Sequence, residues 1–223
     1  MQPSHQKPQN ARSIRTQPPL KIAERRDSEA GQPPGRRERK KAATRQKIAD
    51  TARRLFLERG YDAVGIRDVA AEADVAVTTL FSHFASKEAL VFEQDENFEH
   101  RLARAVADRA SDEPLIAALR REMQAMVRHC AAEDAAPIWR MIDGSPDLRR
   151  YEESMRLRHA ESLAAAIAAD LGLPRTTTVC RAIARFVVDA HPLAREAADP
   201  DTALDEIFAM IEAAWAATGQ AAG

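Results

Sequence analysis

The chain has 223 residues, of which 45% are hydrophobic and 30% are charged, as in ordinary soluble globular proteins. No apolar run approaches the length of a membrane span, so the sequence predicts a soluble, cytoplasmic protein with no membrane partner. The polar, proline-rich N-terminus also lacks the apolar segment that a secretory signal requires.

The charge is divided along the chain, although the formal net charge is only −1. Residues 1–41 contain 11 Lys or Arg and 4 Asp or Glu, a net of +7. Residues 42–92 contain 7 of each sign, and the remainder contains 15 and 23, a net of −8. A basic N-terminal segment and an acidic C-terminal segment favour contact with a polyanion at the N-terminal end.

Residues 1–41 are rich in Pro, Gln, Ser and Arg and contain few side chains that could form a core, which predicts a disordered tail. Its last basic residues could follow a phosphate backbone or enter a minor groove, or the tail could simply be solvated. We expect the first helix to start near Thr44 and to end at Gly60, which suits a left-handed C-terminal position.

Apolar residues recur at helical spacing on both sides of a short break at residues 74–75. This pattern predicts a helix, a tight turn and a second helix, packed on a preceding helix that carries apolar residues on one face. The apolar sets are Ile48, Ala52, Leu55 and Phe56 in the first helix, Ile66, Val69, Ala70 and Ala73 in the second, and Leu80, Phe81 and Phe84 in the third.

The outward positions of the third helix are small or hydrogen-bonding, unlike the long charged residues of an ordinary solvated face. Such a helix suits insertion into a DNA major groove, with flanking basic residues on the phosphates. A small helical bundle with solvated polar residues has the same periodicity. The predicted DNA-binding residues are Arg45, Arg67, Ala76, Val77, Thr78, Thr79, His83 and Lys87.

Several motifs in this region resemble the N-terminal DNA-binding domain of the TetR family of transcriptional regulators. They are Leu55-Phe56, Gly60-Tyr61, residues 66–70, Val75, Thr79-Leu80-Phe81, His83-Phe84 and the Ser-Lys-Glu-Ala-Leu run at residues 86–90. The resemblance implies a helix-turn-helix domain at residues 42–92 and a helical effector-binding and dimerisation domain at residues 93–220. It further implies a homodimer that binds a pseudo-palindromic double-stranded DNA operator, most often as a repressor released by a small-molecule effector.

The chain departs from the usual family pattern at four places. Gly65 replaces a Ser or Thr cap, and Asp74 takes a turn position that is usually Gly, where Asp tolerates the left-handed conformation. Ala76 and Val77 make the recognition helix less basic than usual. Phe81 replaces a Tyr and so lacks a hydroxyl that could meet a phosphate.

The rest of the chain is helical by pattern, and no strand pattern is found, so we predict an all-α fold. Ser86 is expected to cap a fourth helix that runs towards Arg109. Further helices are predicted at residues 115–132, 138–142, 148–171, 176–195 and 202–218. By the resemblance, the last two helices would form a four-helix dimer interface with a second subunit.

A group of Met and aromatic residues could line an apolar effector pocket, or could be core filler. The predicted lining is Phe98, Leu102, Met123, Met126, Trp139, Met141, Met155 and Phe186. The candidate polar contacts are His129, Arg140, Tyr151, Arg185 and His191.

The sequence predicts no cofactor and no metal site. His129 and Cys130 are adjacent, so their side chains diverge on a helix, and the other histidines lack an i, i+4 partner. Cys130 and Cys180 are expected to be free thiols. Glycine-rich phosphate loops, HExxH and GxSxG motifs are absent, so an enzyme is disfavoured. A protein-recruiting module on the same fold remains the other alternative.

Overall fold

The computed structural model describes residues 35–93, 95–130 and 136–219, without the side chains of residues 95–97. These residues form ten α-helices, which confirms the all-α prediction. The helices are α1 (Arg36–Arg59), α2 (Ile66–Glu72), α3 (Val77–His83), α4 (Glu88–Val91), α5 (Asp95–Ala107), α6 (Leu115–Cys130), α7 (Ala136–Gly144), α8 (Pro146–Asp170), α9 (Thr178–Glu196) and α10 (Pro200–Ala217).

Helix α1 begins at Arg36, eight residues before the predicted start near Thr44. The added residues are Arg, Glu, Lys and Ala, which have high helix propensity. The backbone N–H of Gly35 donates to Oε2 of Glu38 at 2.9 Å, which satisfies one of the unpaired groups at the helix start. The prediction of disorder was therefore wrong for residues 36–41, and its remaining part at residues 1–34 lies outside the described residues.

The first three helices bury the predicted apolar faces in one core. Ile48, Ala52 and Val69 are fully buried there, and Leu80 brings α3 into the same core. Ile142 of α7 and Leu148 of α8 also belong to this core. The helix-turn-helix therefore rests on side chains from both predicted domains.

The predicted fourth helix is two helices in the structure. Helix α4 ends at Val91, Phe92 leaves the helical conformation at φ −100° and ψ 42°, and α5 begins at Asp95. The Phe92 ring is buried and stacks on Tyr151 of α8, with 5.4 Å between ring centroids. Burial of this aromatic ring accompanies the break, which an uninterrupted helical pattern in the sequence concealed.

Helices α5, α6, α8, α9 and α10 enclose a second core. The bounds of α6 to α10 agree with the predicted segments to within a few residues. Three of these helices have side-chain N-caps: Ser145 before α8, Thr177 before α9 and Asp199 before α10. Local capping signals and helical periodicity agree in this region, so the sequence was sufficient to place these helices.

Candidate nucleic-acid interface and regulatory cavity

A tight turn sets the angle between α2 and α3. Asp74 adopts φ 51°, as predicted for this turn position, and the backbone N–H of Val75 donates to the carbonyl oxygen of Ala70 at 2.9 Å. The Gly65 N–H donates to Oδ2 of Asp68 at 2.7 Å, so a carboxylate in the first turn of α2 supports a start that lacks a capping side chain. The turn at Asp74 and Val75 therefore holds α3 against the core and leaves the outer face of α3 exposed.

The outer face of α3 carries Thr78, Phe81 and Ser82, all exposed, with exposed Ala76 at the N-cap. Their spacing of three and four residues places Thr78, Phe81 and Ser82 side by side on the helix surface. The other predicted contacts, Val77, Thr79 and His83, are half-buried.

Phe81 and Ser82 were not among the predicted contact residues. The Phe81 side chain is 51% exposed, because Leu80 and Phe84 occupy the core-facing positions on either side. The spacing of three residues from Thr78 indicates that Phe81 lies on the outer face of the helix. Phe81 was nevertheless assigned to the core, because Phe is an apolar residue type.

Arg45 has internal partners for its guanidinium group. Nη1 donates to the carbonyl oxygen of His83 at 2.5 Å, and Nη2 donates to the carbonyl oxygen of Glu93 at 3.3 Å. The guanidinium also lies 4.3 Å from the centroid of the Phe84 ring. Arg45 thus ties α1 to the end of α3 and to the segment after α4, a role that the sequence did not reveal.

Lys87 is also held inside the domain. Its Nζ donates to the carbonyl oxygen of Tyr61 at 2.7 Å and lies 3.9 Å from the Tyr61 ring centroid. Burial lowers the pKa of Lys87 from its ordinary value. Helix α4 starts at Glu88 with Lys87 at the N-cap, rather than with the predicted Ser86, although Oγ of Ser86 accepts from the Ala89 N–H. Of the three basic residues in the predicted DNA-binding set, Arg67 is the exposed one.

A cavity of about 180 Å³ lies among α1, α4, α5, α6, α7, α8 and α9. Seven of the eight predicted apolar residues line it: Phe98, Leu102, Met123, Met126, Trp139, Met141 and Met155. The prediction was wrong for Phe186, whose side chain is 47% exposed on α9. Its neighbours Val187 and Val188 take the buried positions, so the helical period turns Phe186 outwards.

The polar lining differs more from the prediction. His129 and His191 line the cavity, whereas Arg140, Tyr151 and Arg185 do not. Arg140 and Arg185 are exposed, and Tyr151 packs on Phe92 instead. The polar lining residues that were not predicted include Cys130 and a group of three, Glu152, Arg156 and His159, which lie with Met155 on one face of α8. Their spacing of three and four residues was the available signal, but charged residues at that spacing also describe a solvated face.

Cys130 and His191 both line this cavity and are in direct contact, with 3.4 Å between Sγ and Nε2. Burial raises the pKa of Cys130 to about 11. Burial, followed by the charges of Arg195 and Arg156, lowers the pKa of His191 to about 4. The pair is therefore a neutral thiol and a neutral imidazole at physiological pH, rather than a reactive thiolate.

Arg195 contacts two of the residues that line the cavity, Trp139 and Glu152. Its guanidinium lies 4.4 Å from the Trp139 ring centroid, and its Nη1 donates to Oδ1 of Asp143 at 3.0 Å. Its Nη2 is 3.7 Å from Oε1 of buried Glu152. Burial raises the pKa of Glu152, with the Arg195 charge acting in the opposite direction. The cavity thus combines a mainly apolar surface with a few polar groups, as small-molecule sites do.

The cavity reaches the helix-turn-helix domain. Its wall includes Phe56 of α1, Leu90 of α4, and Phe92 and Glu93 directly after α4. The Glu93 carbonyl oxygen is one of the two that hold Arg45, and the other belongs to the last residue of α3. A molecule in the cavity would therefore touch the segment that Arg45 connects to the recognition helix.

Within the described residues, no group of three or more His, Cys, Asp or Glu is arranged to hold a metal ion. Nor does any helix in these ranges have the length and apolar character needed to cross a membrane.

The family model for bacterial regulatory proteins of the tetR family matches residues 48–93, which span the helix-turn-helix just described. Residues 48–93 therefore form a DNA-binding domain of the TetR type. The match covers the predicted DNA-binding motifs and leaves the helices around the cavity outside it.

Curated TetR-type relatives align with about half of the chain or somewhat more. The repressor Rv3405c of Mycobacterium tuberculosis is 30% identical over 121 residues, covering 54% of this chain and 63% of the relative. The regulator TcmR of Streptomyces glaucescens is 30% identical over 150 residues, covering 62% of this chain and 66% of the relative. The chain thus spans somewhat less than two thirds of these relatives' length. These relatives are transcriptional regulators rather than enzymes.

Solved TetR-type structures share the fold at low sequence identity. The SmeT–triclosan complex has a TM-score of 0.53 and 18% identity, and covers 77% of this chain and 91% of its own. A TetR-family regulator from Streptomyces coelicolor has a TM-score of 0.52 and 23% identity, with 80% and 99% covered. These likenesses support the helical architecture beyond the DNA-binding domain.

The low pKa of His191 predicts a pH dependence of stability. Its pKa is 6.5 ordinarily and about 4 in the folded chain, so the unfolded state binds more protons between these values. The contribution of neutral His191 to the free energy of unfolding is fully present above pH 6.5 and is lost as the pH falls towards 4. We expect urea denaturation of His191→Gln to show a shallower loss over this window than the wild type. His100→Gln, at an exposed position of α5, controls for replacing a histidine, and equal slopes for His191→Gln and the wild type would contradict the prediction.

Proposed function

We propose that this protein is a homodimeric, sequence-specific DNA-binding transcriptional regulator whose DNA affinity responds to a small, mainly apolar effector. The observation that carries the proposal is the exposed Thr78, Phe81 and Ser82 face on the second helix of a TetR-type helix-turn-helix. A helix presented in this way enters the major groove, and two copies related by two-fold symmetry read two half-sites.

The cavity supports effector control. Its wall contains Phe92 and Glu93, and Arg45 joins the Glu93 carbonyl to the end of α3. An effector that binds one position of this segment better than another shifts the orientation of α3 and thereby the DNA affinity. One structural neighbour is a complex with triclosan, a small molecule, and several relatives are repressors. We therefore propose a repressor that the effector releases from a pseudo-palindromic operator.

The second candidate is a protein-recruiting module on the same fold. The observation in its favour is that the sequence of α3, Val-Thr-Thr-Leu-Phe-Ser-His, contains no Lys or Arg. It predicts that α3 variants leave DNA affinity unchanged, so the DNA experiment below separates the two candidates.

DNA binding is tested by titrating fragments from upstream of the protein's own coding region at two salt concentrations. We expect one fragment to bind tightly and in a salt-sensitive manner, and Thr78→Asp to weaken that binding at least about tenfold, because a carboxylate in the groove loses a base contact and repels phosphates. Leu157→Asp adds the same charge at an exposed position of α8 and should bind as the wild type does. Uniformly weak binding, or equal effects of both variants, would contradict the proposal.

The homodimer is supported by an exposed apolar stripe on the last two helices. Val179, Phe186 and Leu193 recur every seventh residue along α9, and exposed Met210 lies on α10. We expect Phe186→Glu and Leu193→Glu to give a monomer in sedimentation analysis and to reduce operator affinity, because burying a carboxylate at an apolar interface is costly. Leu157→Glu is the control. A dimeric mass for both α9 variants would show that another surface mediates assembly.

The effector cavity is tested through its tryptophan. The chain has two Trp residues, and Trp139 lines the cavity whereas Trp215 lies in the second core. In the Trp215→Phe variant, Trp139 is the remaining tryptophan, and its fluorescence is titrated with a panel of small apolar compounds that includes triclosan. We expect some of these compounds to change the Trp139 emission saturably and to lower the DNA affinity. The reciprocal Trp139→Phe should show no emission change. Equal changes in both variants, or none, would contradict the cavity assignment, and tighter DNA binding would reverse the direction of control.

A further inference from the structure

We propose that α3 reads DNA chiefly through the C5 methyl groups of thymines in the major groove. This inference rests on the proposed DNA-binding function and specifies what the recognition surface recognises. It predicts half-sites in which the base pairs under α3 contain thymine.

The side chains of α3 do not include those that make bidentate contacts to bases. Arg and Lys form the common bidentate contact to guanine, Asn and Gln form it to adenine, and Asp and Glu accept from cytosine. The α3 sequence, Val-Thr-Thr-Leu-Phe-Ser-His, contains none of these six residue types, and its N-cap is Ala76. The strongest forms of base readout by hydrogen bonds are thus unavailable to this helix.

The helix also lacks formal charge at neutral pH. His83, its last residue, is half-buried, and burial together with the charges of Lys41 and Arg45 lowers its pKa from the ordinary value of 6.5. The cations that can meet phosphates lie elsewhere, at exposed Lys41 of α1 and Arg67 of α2. Phosphate contact and base contact are therefore separated between different helices.

Helix α3 also leaves an apolar surface exposed. Phe81 is 51% exposed, Ala76 is exposed at the N-cap, and half-buried Val77 and the methyl group of Thr78 continue this surface. The helix does not need Phe81 for its own core, which Leu80 and Phe84 already supply. Thymine is the base whose major-groove edge carries a methyl group, and Ala, Thr and Phe are the side chains that contact it.

The hydroxyl groups on this face add only single hydrogen bonds. The Ser82 hydroxyl donates to the carbonyl oxygen of Thr79 at 2.6 Å, so its proton is used within the helix and its oxygen remains an acceptor. One acceptor serves the amino group of adenine and that of cytosine alike. Discrimination must therefore come mainly from carbon contacts, which distinguish thymine from cytosine by the methyl group itself.

The test replaces thymine by uracil, which keeps every hydrogen-bonding group and removes only the methyl. Binding sites are first selected from a random-sequence duplex pool with the full-length protein. The selected duplex is then synthesised with uracil at each thymine position in turn, and binding is measured at several salt concentrations.

We expect uracil to weaken binding by about fourfold for each contacted methyl group, the effect of burying one methylene-sized apolar group. The salt dependence should stay the same, because phosphate contacts are untouched. Uracil outside the protected region of the duplex is the DNA control and should have no effect.

Protein variants assign the contact to the exposed face of α3. Phe81→Ala should weaken binding to the thymine duplex and abolish the uracil penalty at one position of each half-site. Leu157→Ala removes a similarly exposed apolar side chain from α8 and should retain the full penalty. Thermal unfolding of both variants verifies that they are folded.

The outcomes are distinguishable. Half-sites without thymine under α3, or equal affinity for the thymine and uracil duplexes, would overturn methyl readout and leave the DNA-binding function intact. Failure to select any sequence would overturn the proposed function and this inference together. A position-specific uracil penalty that Phe81→Ala removes would support it.

Discussion

The Arg45 side chain joins three segments that are distant in sequence. It holds the carbonyl oxygens of His83 and Glu93 and lies over the Phe84 ring. Hydrogen bonds from a charged guanidinium are stronger than neutral ones, and this one is partly shielded from water. Helix α3 has only seven residues and buries Leu80 alone among them, so its orientation depends on such contacts at its ends.

The same contact connects the recognition helix to the cavity. Phe92 and Glu93 form part of the cavity wall, and Phe92 is held by stacking on Tyr151 of α8. Burial lowers the pKa of His191 and raises that of Glu152, so the polar groups in the cavity are held in an environment that disfavours charge. A ligand in the cavity would touch Phe92 and Glu93, the segment that Arg45 joins to α3.

Sequence periodicity placed most helices correctly, and seven of the eight apolar residues suggested as an effector pocket line the cavity. The errors are instructive: Phe186 and Phe81 are both apolar residues that were judged by type, and both point outwards. The phosphate contacts predicted for Arg45 and Lys87 stay predictions, and both side chains also donate to backbone carbonyl oxygens within the domain. Residue type predicts average burial, whereas the helical phase relative to the packed neighbours decides each position.

The sequence by itself determined the all-α class, the helix-turn-helix, the left-handed turn at Asp74 and the helix bounds from α6 to α10. These depend on interactions over a few residues: apolar spacing, capping and backbone preference. Only the tertiary structure decided the helix break at Phe92, the hydrogen bonds of Arg45 to two backbone carbonyls and the contact between Cys130 and His191. These depend on contacts between residues 38 to 61 positions apart, or on burial against another helix, which no local pattern records.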